Sequence, residues 1–154
     1  MIEFLQTWGL IFVLSMMPLS ELRGAIPAGI AMGLNPWLVW LVCVAGNMVP
    51  VPFIILFIRS IFSWLRRRGG RLASLVERME AKADRGAQMF YKYELLGLMI
   101  LTAIPLPGTG AWTSALVAAM LNIRLKTAMP FIFLGVIIAG IIMLLLSCGV
   151  SLLF

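Results

Sequence analysis

The chain alternates long apolar runs with short breaks rich in proline and glycine. Residues 4–17 form an apolar run that is too short to cross a bilayer, because a spanning helix needs about 20 residues. A break at 18–23 follows, and a second short run, 24–34, ends at the turn signal Asn35-Pro36. This pattern predicts two half-length helices on either side of a break.

Two arrangements fit residues 4–34. A single kinked helix over this range would be about 45 Å long, whereas the hydrocarbon core of a bilayer is roughly 30 Å thick. A re-entrant hairpin, which enters the bilayer and returns to the same side, avoids this mismatch. The hairpin is the favoured prediction.

The following segments complete a first unit. Residues 37–58 are long and apolar enough to cross, and Pro50 and Pro52 predict a kink within that span. From Leu72 onward, apolar positions recur at spacings of three and four, with charged residues between them. This periodicity predicts an amphipathic helix within 66–93, interpreted as a linker on the cytoplasmic membrane surface.

The second half repeats the order of the first. A shift of 87 residues places Pro18-Leu19 on Pro105-Leu106 and Leu34-Asn35 on Leu121-Asn122. Repeated architecture of this kind indicates an internal duplication. We therefore predict one membrane domain, 1–154, made of a first repeat at 1–65 (hairpin 4–34, span 37–58), a linker helix at 66–93, and a second repeat at 94–154 (hairpin 95–121, span 127–150).

Composition supports an all-α integral membrane protein. The chain is 62% hydrophobic with a mean hydropathy of +1.07, against about 45–50% apolar residues in soluble proteins. Its net charge of +6 comes mainly from basic residues within 59–92 and at 124–126. Basic residues beside apolar spans mark the cytoplasmic side of a membrane, so this charge argues against nucleic-acid binding.

The same charge rule predicts the orientation of each unit. With 59–92 and 124–126 in the cytoplasm, the first hairpin enters from outside and the second from the cytoplasm, and both termini lie outside. The two units are then inverted and their tips meet near the midplane, which is typical of secondary transporters. We expect a multi-pass membrane protein.

Two charges lie in the first break. Apart from Glu3, Glu21 and Arg23 are the only charged residues among the first 58. Charges inside a membrane cost about 2.5 kcal/mol or more on the insertion scale, and they usually mark a substrate or ion pathway. The alternative is a structural ion pair that only holds the fold.

The second break offers backbone instead of charge. Its segment Pro107-Gly108-Thr109-Gly110 can direct N–H groups inward as an anion-binding nest, and Thr109, Thr113 and Ser114 add hydroxyls. The alternative is a tight structural turn. The returning half-helices, 24–34 and 111–121, would both point positive dipole ends at the shared centre. With Arg23 these features suit an anionic group, and Glu21 suits a proton carrier.

Other features narrow the function further. The chain has no histidine, and Cys43 and Cys148 lie in apolar runs, so no metal, cofactor or catalytic site is predicted and the protein is not expected to be an enzyme. Gly29 and Gly33 form a GxxxG stretch that permits close helix packing within or between chains. Two full spans are few to enclose an aqueous site, so a homodimer is expected.

The two breaks also carry a family resemblance. Ser20-Glu21-Leu22-Arg23-Gly24-Ala25-Ile26-Pro27 and Pro105-Leu106-Pro107-Gly108-Thr109-Gly110-Ala111-Trp112-Thr113 resemble the two signatures of the bacterial and archaeal small multi-drug export proteins. The architecture is also similar to the DedA (SNARE-associated, VTT-domain) superfamily, in which paired re-entrant hairpins carry embedded charges. The resemblance implies Glu21 and Arg23 as site residues, and Pro105, Pro107 and Gly108 as the facing loop. It also implies a location in a prokaryotic plasma membrane. Unlike DedA proteins, this chain has no charge in its second tip.

These observations favour a proton-coupled transporter or flippase for an amphipathic substrate with an anionic, lipid-phosphate-like head group. A second hypothesis is export of cationic amphipathic drugs, with Glu21 as the counter-charge. A third is a membrane scaffold or assembly protein that docks through the linker helix.

Overall fold

The computed structural model describes residues 2–68, 74, 77–78, 93–105 and 109–153. Within these ranges the regular structure is helical, without strands. The helices are α1 (Ile2–Met16), α2 (Glu21–Ala31), α3 (Pro36–Met48), α4 (Pro50–Arg68), α5 (Tyr93–Ala103), α6 (Ala111–Met120) and α7 (Leu125–Leu153).

Helices α1 and α2 are two half-length helices that pack against each other across the predicted break. The turn at 17–20 closes with a hydrogen bond from the Glu21 N–H to the Met17 carbonyl (2.9 Å), and Glu21 itself has a positive φ of 44°. At the far end of α2 the left-handed Gly33 (φ 74°) reverses the chain. The Asn35 side chain then accepts from the Trp37 and Leu38 N–H groups and caps α3.

Two segments are long and apolar enough to cross a membrane. The first, Pro36–Trp64, is formed by α3 and α4, which meet at Val49 immediately before Pro50. The proline lacks an N–H, which explains the interruption there. This span reaches further than the predicted 37–58. The second, Leu125–Gly149, lies within α7 and agrees closely with the predicted 127–150.

Glycines bring the helices into close contact at four crossings. A Cβ atom at Gly46 would lie 2.9 Å from the Phe12 carbonyl, and one at Gly135 would lie 2.7 Å from the Met99 carbonyl. A Cβ at Gly140 would meet the Trp40 ring at 2.6 Å, so Gly135 and Gly140 both lie at close helix contacts. The fourth glycine, Gly29, packs in the same way against Val39 of α3, within one chain.

The two halves correspond in detail, with a change of register at the breaks. Before the breaks, Ser15 and Thr102 correspond at the predicted separation of 87, and each packs against a glycine of a later helix. After the breaks the separation is 89. It relates the positive-φ residues Glu21 to Gly110 and Gly33 to Asn122, and the crossing glycines Gly46 to Gly135. The second break is therefore two residues longer than the first.

The halves also exchange packing partners. Helix α2 of the first half packs on α7, and α6 of the second half packs on α4. The buried core between them includes Ile26, Val51, Ala115 and Ile132, whereas large apolar side chains cover the outside. Phe53 and Leu145, for example, are 68% and 66% exposed. An outer surface of this kind suits contact with lipid tails.

The predicted linker helix at 66–93 lies, apart from its ends and residues 74 and 77–78, outside the described residues.

Candidate functional site

The two breaks meet in the structure through Arg23. Its Nη2 atom donates to the Ile104 carbonyl and to the Thr109 hydroxyl, both at 3.0 Å. The Thr109 hydroxyl in turn donates to the Ile104 carbonyl at 2.8 Å. One guanidinium therefore holds together the ends of α5 and α6, which lie more than eighty positions further along the chain.

Glu21 is buried beside Arg23. Its Oε2 atom lies 4.0 Å from Arg23 Nε, and its Oε1 atom accepts a long hydrogen bond of 3.4 Å from the Trp112 backbone N–H. The side chain of Glu21 is 5% exposed and that of Arg23 is 16% exposed. The positive N-terminal end of α6 therefore faces the Glu21 carboxylate.

Gly110 makes this approach possible. It has a φ of 132°, a backbone conformation that residues other than glycine rarely adopt. A Cβ atom at Gly110 would lie 2.1 Å from Glu21 Oε2. Gly110 is the position in the second half that corresponds to Glu21. The Glu21 carboxylate thus occupies the space that a side chain at position 110 would fill.

Trp112 is a site residue that sequence reasoning did not select. Besides its backbone contact with Glu21, its indole N–H donates to the Met16 carbonyl at 3.0 Å. It therefore satisfies a carbonyl at the end of α1, where no helical partner remains. The one feature of the sequence that could have indicated this role is the position of Trp112 directly after the second break.

A cavity of about 390 Å³ lies between the breaks. Its lining residues come from the first break, the second break and α7: Pro18, Leu19, Ser20, Glu21, Arg23, Gly24, Pro105, Thr109 and Met143. Arg23 Nε has no hydrogen-bond partner, although it is buried. Arg23 therefore lines the cavity with an Nε donor that makes no hydrogen bond and whose nearest charged partner is Glu21 Oε2 at 4.0 Å.

The predicted site residues divide into three groups. Glu21, Arg23, Pro105 and Thr109 line the same cavity, and Gly110 lies against the Glu21 carboxylate. Thr113 is half-buried in α6 and does not line the cavity. Pro107 and Gly108 lie outside the described residues.

Ser114 corrects one further expectation, because its hydroxyl faces the core and not the cavity. It accepts a 2.7 Å hydrogen bond from Thr102 of α5. The predicted role of the α6 N-terminus also changes, since Glu21 of the same chain already occupies it.

An apolar groove of about 570 Å³ adjoins the site on its outer side. It is lined by Met16, Val49, Pro50, Phe53, Ile54, Phe57 and Trp112. Trp112 thus contacts the groove with its ring and the buried Glu21 with its backbone. Trp112 therefore connects the apolar groove to Glu21, which lines the charged cavity.

The helical fold, the two apolar spans and the buried charged pair define a polytopic α-helical membrane protein. The family described as "Putative small multi-drug export protein" matches residues 21–142, well over half of the chain. The chain belongs to this family. No curated protein and no solved structure matches it. The similarity to the DedA superfamily stays a prediction.

Proposed function

We propose that this protein is a proton-coupled exporter or flippase of the plasma membrane that moves an amphipathic substrate with an anionic, phosphate-like head group. The observation that carries the proposal is the half-buried Arg23 at the contact between the two breaks, which lines a cavity and whose Nε makes no hydrogen bond and lies 4.0 Å from Glu21 Oε2. The proposed cycle involves binding and proton transfer only, with no covalent step.

The proposed membrane arrangement follows from charge and symmetry. The pairs α1–α2 and α5–α6 are the re-entrant hairpins, and they enter from opposite sides, the first from outside. The clustering of basic residues within 59–92 and at 124–126 supports a cytoplasmic location for those segments and an outside location for both termini. The exchanged packing of α2 on α7 and of α6 on α4 supports a two-fold relation between the halves, and we propose that this relation is an inversion.

The proposed chemistry is a competition for Arg23. At 4.0 Å the Glu21 and Arg23 charges attract by about 4 kcal/mol at an effective dielectric constant of about 20, before desolvation is counted. A proton on Glu21 removes this attraction and leaves the guanidinium to an anionic head group. Loss of the proton restores the internal pair and releases the substrate.

The neighbouring groove supplies a place for an apolar tail. A substrate whose head group contacts Arg23 can pass its tail beside Trp112 towards Phe53 and Phe57. Because these aromatic residues are on the outside of the helices, the tail stays in lipid throughout. We therefore propose lateral entry from the bilayer, and a homodimer that completes the walls of the pathway.

The family description favours a second candidate, the export of cationic drugs. In that function Glu21 is the counter-charge for the drug, and Arg23 only neutralises Glu21 between cycles. The scaffold hypothesis depends on the linker helix, whose residues mostly lie outside the described ranges.

Thermal unfolding of the purified full-length protein separates the two transport candidates. The ligands are a short-chain phosphatidic acid and a quaternary ammonium amphipath of equal chain length. We expect the phosphatidic acid to stabilise the protein, Arg23→Ala to weaken its binding by about tenfold or more, and Glu21→Gln to preserve it. Arg124→Ala, an exposed change of equal charge, is the control.

The opposite pattern would identify a drug exporter. Stabilisation by the ammonium compound that is lost in Glu21→Gln and retained in Arg23→Ala contradicts the anion proposal. Stabilisation by neither ligand contradicts both candidates.

A further inference from the structure

A second polar cavity lies between α4 and the end of α6. Its volume is about 340 Å³, and it is lined by Leu56, Arg59, Ser60, Phe62, Ser63, Ala119 and Asn122. The α4 residues at 56, 59, 60 and 63 are spaced along one helical face. None of these lining residues belongs to the site described above.

Arg59 is the charged group of this cavity. Its Nη2 atom donates to the Ile123 carbonyl, which follows the end of α6. Its Nε atom is buried and has no hydrogen-bond partner. Arg59 therefore retains donors after its structural contact is made, and the lining residues that the structure describes include no acid.

Asn122 adds an amide to the opposite wall. It has a left-handed backbone with φ 54°, which turns the chain after α6. The carbonyls at the end of α6 already accept hydrogen bonds from the N–H groups of residues 121, 122 and 123. The negative end of the helix is thus satisfied internally, and Arg59 offsets what remains of its dipole.

The two serines have a lesser role. The Ser60 hydroxyl donates to the Leu56 carbonyl, and the Ser63 hydroxyl donates to the Ser60 carbonyl. Their protons are therefore committed to α4, and they form a polar wall. The donors that remain for a ligand come from Arg59 and Asn122, a combination suited to anionic oxygens.

The position of the cavity indicates where such a ligand comes from. It lies near the basic end of α4, where Trp64 is half exposed, and close in sequence to Arg124 and Lys126. Tryptophan and basic residues mark the head-group level of the cytoplasmic leaflet. That leaflet carries anionic phospholipids.

We propose that this cavity binds the phosphate group of an anionic membrane lipid, through Arg59 and Asn122, as a fixed site separate from the transport pathway. The ligand bridges α4 of the first half to the end of α6 in the second half. Bound lipid therefore stabilises the contact between the two halves. The lipid is a bound component and is not the transported substrate.

Native mass spectrometry of the full-length protein in detergent tests this proposal. The probes are phosphatidylglycerol, phosphatidylcholine and inorganic phosphate, each measured for the unmodified protein and for Arg23→Ala. We expect one tightly retained phosphatidylglycerol in both proteins. Because retention in Arg23→Ala does not depend on the transport site, this result is separate from the proposed function.

Three variants address the cavity itself. Arg59→Gln should weaken phosphatidylglycerol binding by about tenfold, and Asn122→Gly by about threefold, since glycine keeps the left-handed backbone and removes the amide. Lys126→Gln, which removes an exposed charge at the same end, should change binding by less than about twofold. A melting curve without lipid shows whether each variant is folded.

Three results would overturn the proposal. Equal losses in Arg59→Gln and Lys126→Gln would indicate diffuse attraction to basic residues. Unchanged retention in Asn122→Gly together with a folded, lipid-retaining Arg59→Gln would show that the cavity is not the site. Equal affinity for inorganic phosphate or phosphatidylcholine would contradict an anionic lipid as the ligand.

Discussion

Glu21 and Gly110 occupy corresponding positions in the two halves, and they share one space. Both have positive φ values, yet one carries a carboxylate and the other carries no side chain. The carboxylate of Glu21 reaches into the volume next to Gly110 and meets the first turn of α6 there. A second glutamate at position 110 would bring two side chains into collision, so one of the two positions must lack a side chain if the other carries the carboxylate.

Replacing Gly110 tests this arrangement. We expect Gly110→Ala to lower the unfolding free energy by about 2 kcal/mol or more, because the new Cβ meets the Glu21 carboxylate and the backbone is strained. Gly97→Ala is the control, since a Cβ at Gly97 has nothing within 4 Å and lies inside a helix. Thermal melting in detergent measures the stability of both variants. Equal stability of Gly110→Ala and Gly97→Ala would contradict the close contact between Gly110 and Glu21.

Thr109 positions Arg23 through its hydroxyl, which accepts from Arg23 and donates to Ile104. Thr109→Val keeps the shape but removes both hydrogen bonds, and we expect about fivefold weaker binding of phosphatidic acid. Thr109→Ser retains the hydroxyl and should stay within about twofold. If the serine variant is as weak as the valine variant, the hydroxyl is not the positioning group.

At the scale of elements, the fold depends on crossings between helices at glycine. Ser15 of α1 packs over Gly46 of α3, and Thr102 of α5 packs over Gly135 of α7. At Gly46 a Cβ would meet the Ser15 hydroxyl at 2.1 Å, whereas at Gly135 it would meet Thr102 Cβ at 2.5 Å. The first obstruction is a side-chain tip and the second is an atom attached to the backbone.

This difference predicts unequal rescue. Gly46→Ala and Gly135→Ala should each destabilise the protein by about 1–3 kcal/mol through overpacking. Adding Ser15→Ala to Gly46→Ala should recover part of the loss, while adding Thr102→Ala to Gly135→Ala should not, because its Cβ remains. The melting temperatures of the two single and two double variants measure the rescue. Equal rescue in both pairs would contradict the proposed difference between the two crossings.

The sequence allowed the helices to be predicted because proline, glycine and asparagine mark their ends directly. Asn35 caps α3, and Pro50 separates α3 from α4. The register between the two halves was harder to predict. The second break is two residues longer than the first, and a break has no hydrophobic periodicity from which this difference could be read. The contacts of Trp112 with Met16 and Glu21 join distant segments, so local pattern carried no sign of them.

At the scale of the whole molecule, the proposed topology places residue 74 in the cytoplasm and both termini outside. In a variant with Cys43 and Cys148 replaced by alanine, we expect Ser74→Cys to react with a membrane-impermeant maleimide only after the cells are opened. A cysteine added after Phe154 should react in intact cells. Labelling of Ser74→Cys in intact cells would contradict the orientation, and labelling of both from each side would indicate dual insertion.

The central claim is that the two breaks form one transport site in which Glu21 responds to protons and Arg23 holds an anionic head group. Its most direct test is the flux of a fluorescent phosphatidic acid across proteoliposomes, with and without a proton gradient. We expect the flux through the unmodified protein to respond to the gradient, Glu21→Gln to lose this response, and Arg23→Ala to lose flux by about tenfold or more. Gradient-dependent flux that persists unchanged in both variants would contradict it.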